Sequence, residues 1–128
     1  MDRGVQRFED LLAYRKAFEA QQQVFDLSKC FPREERYSLT DQLRRSSRSV
    51  GANLAEAWHK RRYEAHFLSK LSDADAELAE TRHWLHTAHS CRYLSATEHD
   101  EIQTLINEVG RLLGGMMRNP TPWLINSG

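Results

Sequence analysis

Between Tyr63 and Cys91, apolar and small residues recur at Phe67, Leu71, Ala74, Leu78, Thr81, Leu85 and Ala88, in steps that alternate four and three. An α-helix carries such positions along one face, so the stripe is a heptad seam of the bundle or coiled-coil kind. Nowhere does the chain alternate with period two, and its six glycines and three prolines are few for a protein of many strands and turns. The seam therefore predicts an all-α fold.

Punctuation divides the rest into three further helices. The first is predicted over about 10–30, with Leu11, Tyr14, Ala17, Phe18, Gln21, Phe25 and Cys30 as its apolar face and Val24 and Leu27 beside it. Pro32 stops it. The second is predicted over about 38–61, opened by a Ser38/Asp41 capping box, with Leu39, Leu43, Ser46, Ser47, Val50, Leu54, Ala57 and Trp58 inward. Gly51 costs helix stability there, and a close helix–helix approach would explain it. The third is predicted over about 63–91, with Ala74, Ala76 and Ala79 permitting close packing. The fourth, over about 95–118, opens with the capping box Ser95-Ala96-Thr97-Glu98 and continues through Ile102, Leu105, Ile106, Val109, Leu112, Leu113 and Met116. Short connections predict an antiparallel up-down-up-down four-helix bundle over 1–118. The Pro-containing tail over 119–128 holds an apolar Trp123-Leu124-Ile125, either docked or free of the bundle.

At 128 residues the chain has room for one domain. No run approaches the roughly 18 apolar residues of a membrane span. The polar opening Met1-Asp2-Arg3-Gly4 lacks the apolar segment of a secretory signal, so a cytoplasmic protein is expected, with Cys30 and Cys91 as free, buried, unreactive thiols.

Catalytic chemistry is hard to assemble. Glu56-x-x-His59 and Glu80-x-x-His83 have the spacing of a di-metal bundle, but in antiparallel helices that turn near Arg62 they lie roughly 18 Å apart along the axis, too far for one site. His83, His86 and His89 drift around their helix and read as surface residues. No nucleophile elbow and no phosphate-cradling glycine loop is present. The expectation is a non-enzyme with no cofactor, no metal and no small-molecule substrate; a metal-binding bundle is a remote alternative.

Charge is more informative. The net charge is zero, yet residues 1–62 carry 13 Lys/Arg against 9 Asp/Glu and residues 63–109 carry 3 against 9. Arg44, Arg45 and Arg48 lie on the second helix and Lys60, Arg61 and Arg62 at its end. Arg44, Arg48 and Arg62 fall within about 40° on a helical wheel. Guanidinium forks suit phosphates, so these six residues form a candidate RNA or DNA surface. The alternative is a purely structural assembly module, in which the same arginines pair within or between subunits with Asp73, Asp75, Glu77 and Glu80. Asn53 and Glu56, at the edge of the buried stripe, need partners, and the arginines are the natural ones, within a chain or between subunits.

Phe8-Glu9-Asp10-Leu11, Phe31-Pro32-Arg33-Glu34-Glu35-Arg36-Tyr37-Ser38-Leu39, Gln42-Leu43-Arg44-Arg45-Ser46-Ser47-Arg48-Ser49-Val50 and Asn53-Leu54-Ala55-Glu56, in that order and spacing, resemble a bacterial four-helix-bundle family. Its members were first noticed as products of reading frames within intervening sequences of 23S ribosomal RNA genes. It is similar in turn to the accessory variability determinant proteins of diversity-generating retroelements. Phe67-Leu68, Ala76-Glu77-Leu78-Ala79-Glu80-Thr81 and Glu108-Val109-Gly110 fit as well. The resemblance implies an up-down bundle that assembles as a homopentamer without catalytic activity. For the retroelement relatives it implies binding to a nucleic-acid enzyme, a reverse transcriptase, and to nucleic acid. By position, Arg44 and Arg45 match the family's paired basic residues, and Asn53 and Glu56 its Asn-x-Ala-Glu segment. Ser38 and Ala57 stand where the family often has glycine.

Overall fold

The computed structural model describes residues 4–125. It contains four long α-helices, α1 (Leu12–Ser28), α2 (Asp41–His59), α3 (Glu64–Ser90) and α4 (Ala96–Arg118), and no strand among the described residues. Each helix packs on its neighbour in chain order and α1 closes against α4, with the α2–α3 contact the most extensive. The core they enclose is one continuous cluster of aliphatic residues with Phe31, Trp58 and Phe67.

All seven residues of the α3 seam are buried. The α4 stripe is buried at Ile102, Leu105, Ile106, Val109, Leu113 and Met116, and Leu112 packs at its edge. The second capping box forms as its sequence requires. Ser95 Oγ accepts from the Glu98 amide at 3.0 Å, and Glu98 Oε1 accepts from the Ser95 amide at 2.9 Å. Ala74 is buried, but Ala76 and Ala79 face solvent and play no part in close packing.

Two local readings are corrected. The chain enters α2 through a π-helical turn, Arg36–Thr40, so it is already coiled where a cap was expected. Ser38 accordingly donates its hydroxyl to Glu35 Oε1 at 2.9 Å and caps nothing. The inward face of α1 is also turned by one residue. Ala13, Ala17, Ala20, Val24 and Ser28 are buried, while Tyr14, Gln21 and Phe25 are half-buried and Phe18 is 44% exposed. Small side chains bring α1 close to its neighbours, and the space that remains does not admit a row of aromatic rings. Gly51 marks that approach: a Cβ there would come 3.3 Å from Tyr14 Cε1.

Polar groups register the helices. Ser46 Oγ and Thr81 Oγ1, both fully buried, are 3.0 Å apart between α2 and α3. Ser46 donates to the Leu43 carbonyl, which leaves its oxygen free to accept from Thr81. Lys70 pairs with Glu56 at 3.5 Å, and Lys16 of α1 with Glu108 of α4 at 3.8 Å. At one end, Phe31 packs on Tyr93 with ring centroids 5.7 Å apart, and the Tyr93 hydroxyl donates to Glu35 Oε2 at 2.9 Å. That bond to a carboxylate pushes the phenol pKa up to about 12. Helix α3 ends with Arg92 in the left-handed region at φ 66°, while the Tyr93 amide reaches back to the Ala88 carbonyl at 2.9 Å. After α4, a 3-10 turn over Thr121–Trp123 lays Trp123 and Leu124 against the core, and the Ile125 amide donates to the Arg61 carbonyl at 3.3 Å.

Candidate nucleic-acid interface

The six basic residues do not form one row, because α2 turns them to different neighbours. Arg44 points toward α1. Its Nε donates to Ser28 Oγ at 2.7 Å and its guanidinium lies 4.7 Å from the centre of the Phe25 ring. Arg48, one turn on and exposed, lies 5.7 Å from the same ring. Lys29, just after the end of α1, lies 4.8 Å from the centre of that ring and also holds Asp26 at 3.2 Å. Three cations thus gather around one half-buried phenylalanine, where the negative face of the ring offsets part of their mutual repulsion. Among the described residues, neither Arg44 nor Arg48 is in an ion pair with a carboxylate.

Arg45 points the other way. Its Nη1 lies 3.3 Å from Glu77 Oε1, and its Nη2 bonds Glu80 Oε2, which also accepts from the Trp84 indole at 3.0 Å. The bond to Arg45, and then that to Trp84, lowers the Glu80 pKa, and the bond to Glu80 raises that of Arg45. Arg45 is thus neutralised by the acidic run of α3.

Helix α2 ends at His59, so Lys60, Arg61 and Arg62 lie in the turn to α3 rather than on a helical wheel. Arg61 is spent inside the fold. Its guanidinium stacks 3.4 Å from the centre of the Trp58 ring system, its Nε donates to the Trp58 carbonyl at 2.6 Å, and burial lowers its pKa. Lys60 and Arg62 are exposed.

Asn53 and Glu56 do not meet the arginines. Asn53 is half-buried and donates to the Ser49 carbonyl of its own helix at 2.9 Å; Glu56 is exposed and paired with Lys70. The α2–α3 register places Glu56 beside the start of α3, well beyond reach of Arg45. Both thiols are exposed rather than buried, since each follows the last turn of its helix. Among the described residues, no group of three His, Cys, Asp or Glu side chains is disposed to hold a metal ion, and no helix is long and apolar enough to cross a membrane. His83 and His86 are on the surface, but His89 is half-buried against His99, with ring centroids 4.2 Å apart. Burial, and then the neighbouring His89, lowers the His99 pKa.

The sequence placed the aromatic side of α1 inward, and its role as the wall of a surface groove was missed. Phe8, Tyr14, Phe18 and Gln21 line a groove of about 320 Å³ whose opposite wall is Arg48, Gly51, Ala52 and Ala55. Tyr14 packs edge-on against Phe8 at 4.9 Å and nearly parallel to Phe18 at 6.1 Å. The sequence carries the signal for this as a second stripe, one residue out of phase with Ala13, Ala17, Ala20 and Val24, opposite a helical glycine.

No curated protein matches the chain. Among solved structures it is similar to a protein of unknown function from the S23 ribosomal protein family of Bacteroides thetaiotaomicron VPI-5482. The two share 27% identity with a TM-score of 0.76, over 84% of this chain and 96% of that one. The family model of the 23S rRNA-intervening sequence protein matches residues 9–115. With most of its length, the first three helices and all but the last three residues of α4 inside that match, the chain belongs to the 23S rRNA-intervening sequence protein family.

Proposed function

We propose that this protein is a non-enzymatic antiparallel up-down-up-down bundle, cytoplasmic and oligomeric, that binds RNA or DNA through the cationic edge shared by α1 and α2. Contacts such as Ser46 with Thr81 and Glu56 with Lys70, in which numbers rise along α2 as they fall along α3, support the antiparallel arrangement. The family's resemblance to pentameric relatives supports a homopentamer, with the bundle over 1–118 as its unit and 119–128 as a tail. The observation that carries the binding reading is the pair Arg44 and Arg48. Ser28 Oγ and the Phe25 ring hold Arg44, and both of its Nη groups remain for a phosphate fork. Lys60 and Arg62 extend the surface; Arg45 and Arg61, committed to Glu80 and Trp58, have supporting roles. The ligand is either the nucleic acid itself or a nucleic-acid enzyme such as a reverse transcriptase.

Fluorescence anisotropy with labelled RNA and DNA at low salt tests this. Binding that weakens with salt and is lost in the Arg44→Ala/Arg48→Ala variant supports the reading, and absence of binding at low salt removes it.

A second reading, a structural assembly module, is favoured by one feature. Leu12, Leu112, Met116 and Trp123 border an apolar groove of about 330 Å³ between the start of α1 and the end of α4. Under that reading, an arginine variant changes the oligomer mass in light scattering while the chain stays helical.

A further inference from the structure

We infer that the groove between Tyr14, Phe18 and Gly51 is a base-stacking site, and that the nucleic acid this protein takes is single-stranded RNA. The inference rests on the cationic edge binding phosphates. It adds which strand form that edge serves and which residues read it.

Tyr14, Phe18, Gln21, Phe25 and Lys29 form one line along α1, and the span from Tyr14 to Lys29 is about 22 Å at the helical rise. Its lower half carries the cations gathered at Phe25, and its upper half carries the groove, with Arg48 common to both. Phosphates and bases of a single strand alternate along such a line, and bases stack on aromatic side chains whatever their identity. In a duplex the base faces are already stacked on one another, so only the phosphates would engage. The groove suits one or two planar rings, and the neighbouring positive charge suits a polyanion. Gly51 keeps the groove open, since a side chain there would meet Tyr14 at 3.3 Å and Gln21 Oε1 at 3.8 Å. The Gln21 amide donates through Nε2 to Gln22 Oε1 at 3.2 Å, and its second N–H and its carbonyl oxygen present both a donor and an acceptor to the groove. A ribose 2′-hydroxyl is likewise both, which is the ground for RNA over DNA.

The experiment measures anisotropy of a fluorescein-labelled RNA of ~10 nucleotides, its duplex form and the DNA of the same sequence, against wild type, Phe18→Ala, Phe18→Leu and Arg44→Ala/Arg48→Ala. Wild type is expected to prefer the single-stranded RNA. Phe18→Ala should weaken that binding by roughly 5- to 150-fold, Phe18→Leu should do the same while keeping an apolar side chain, and duplex binding should not change. Equal binding of single strand and duplex, or Phe18 variants that bind single-stranded RNA as wild type does, overturns the stacking site. If the double arginine variant still loses binding in that case, the cationic edge stands by itself. Equal or tighter binding of the DNA overturns the choice of RNA. A fall in oligomer mass on Phe18→Ala would mean that a second copy fills the groove, and would also overturn the proposal.

Discussion

Replacing Phe18 by alanine separates a ring held for a partner from a ring held for the core. Phe18 is 44% exposed, so somewhat more than half of it is withdrawn from water. Full burial of such a side chain contributes about 1.5–3 kcal/mol, and this fraction of it about 0.8–1.7 kcal/mol. No cavity term is added, because solvent enters the vacated space. Leu78, in the α3 seam and 1% exposed, is the contrast. Its replacement by alanine removes both transfer energy and packing, a cost of about 2.7–5 kcal/mol. Urea unfolding followed by circular dichroism, at one protein concentration so that any association is held constant, measures both. A cost for Phe18→Ala of about 3 kcal/mol or more, equal to that of a buried aromatic ring, would refute the reasoning that leaves this ring outside the core.

Arg92→Gly should raise stability by about 1–2 kcal/mol, because a residue with a Cβ is strained at its positive φ; an unchanged denaturation midpoint would contradict this. Gly115→Ala should stabilise by up to about 1 kcal/mol, since nothing lies within 4 Å of the new methyl group and alanine favours the helix. At the α3–α4 end, the lowered pKa of His99 means that the unfolded chain takes up its proton first as pH falls. Stability should therefore decline below about pH 6.5, and His99→Gln should remove that part of the decline, which melting temperatures between pH 8 and 5.5 would show. The charged groups bearing on His99 are His89 and His86, which lower its pKa, and Asp100, which raises it; an identical pH dependence in the variant would sink the assignment.

The sequence made α3 legible because that helix has a single stripe that could face a core. Helix α1 offers two, at Ala13/Ala17/Ala20/Val24 and at Tyr14/Phe18/Gln21/Phe25, and apolar weight alone favours the aromatic one. What decides is the narrow space between helices, which admits alanine and turns the rings outward. Arg45 shows a second limit. Its charge and helix position were plain, but its partners Glu77 and Glu80 follow from the α2–α3 register, which stripes do not determine to within one turn. Ser38 shows a third, since a sequence with the look of a cap says nothing of a π-helical lead-in that has already coiled the chain.

The account depends most on two unpaired guanidiniums. The salt dependence of single-stranded RNA binding, compared between wild type and Arg44→Ala/Arg48→Ala, counts the phosphates they engage. Each phosphate contact contributes about 0.7 to the slope of log affinity against log salt, so loss of two should flatten it by about 1.4. An unchanged slope with unchanged affinity would contradict the account.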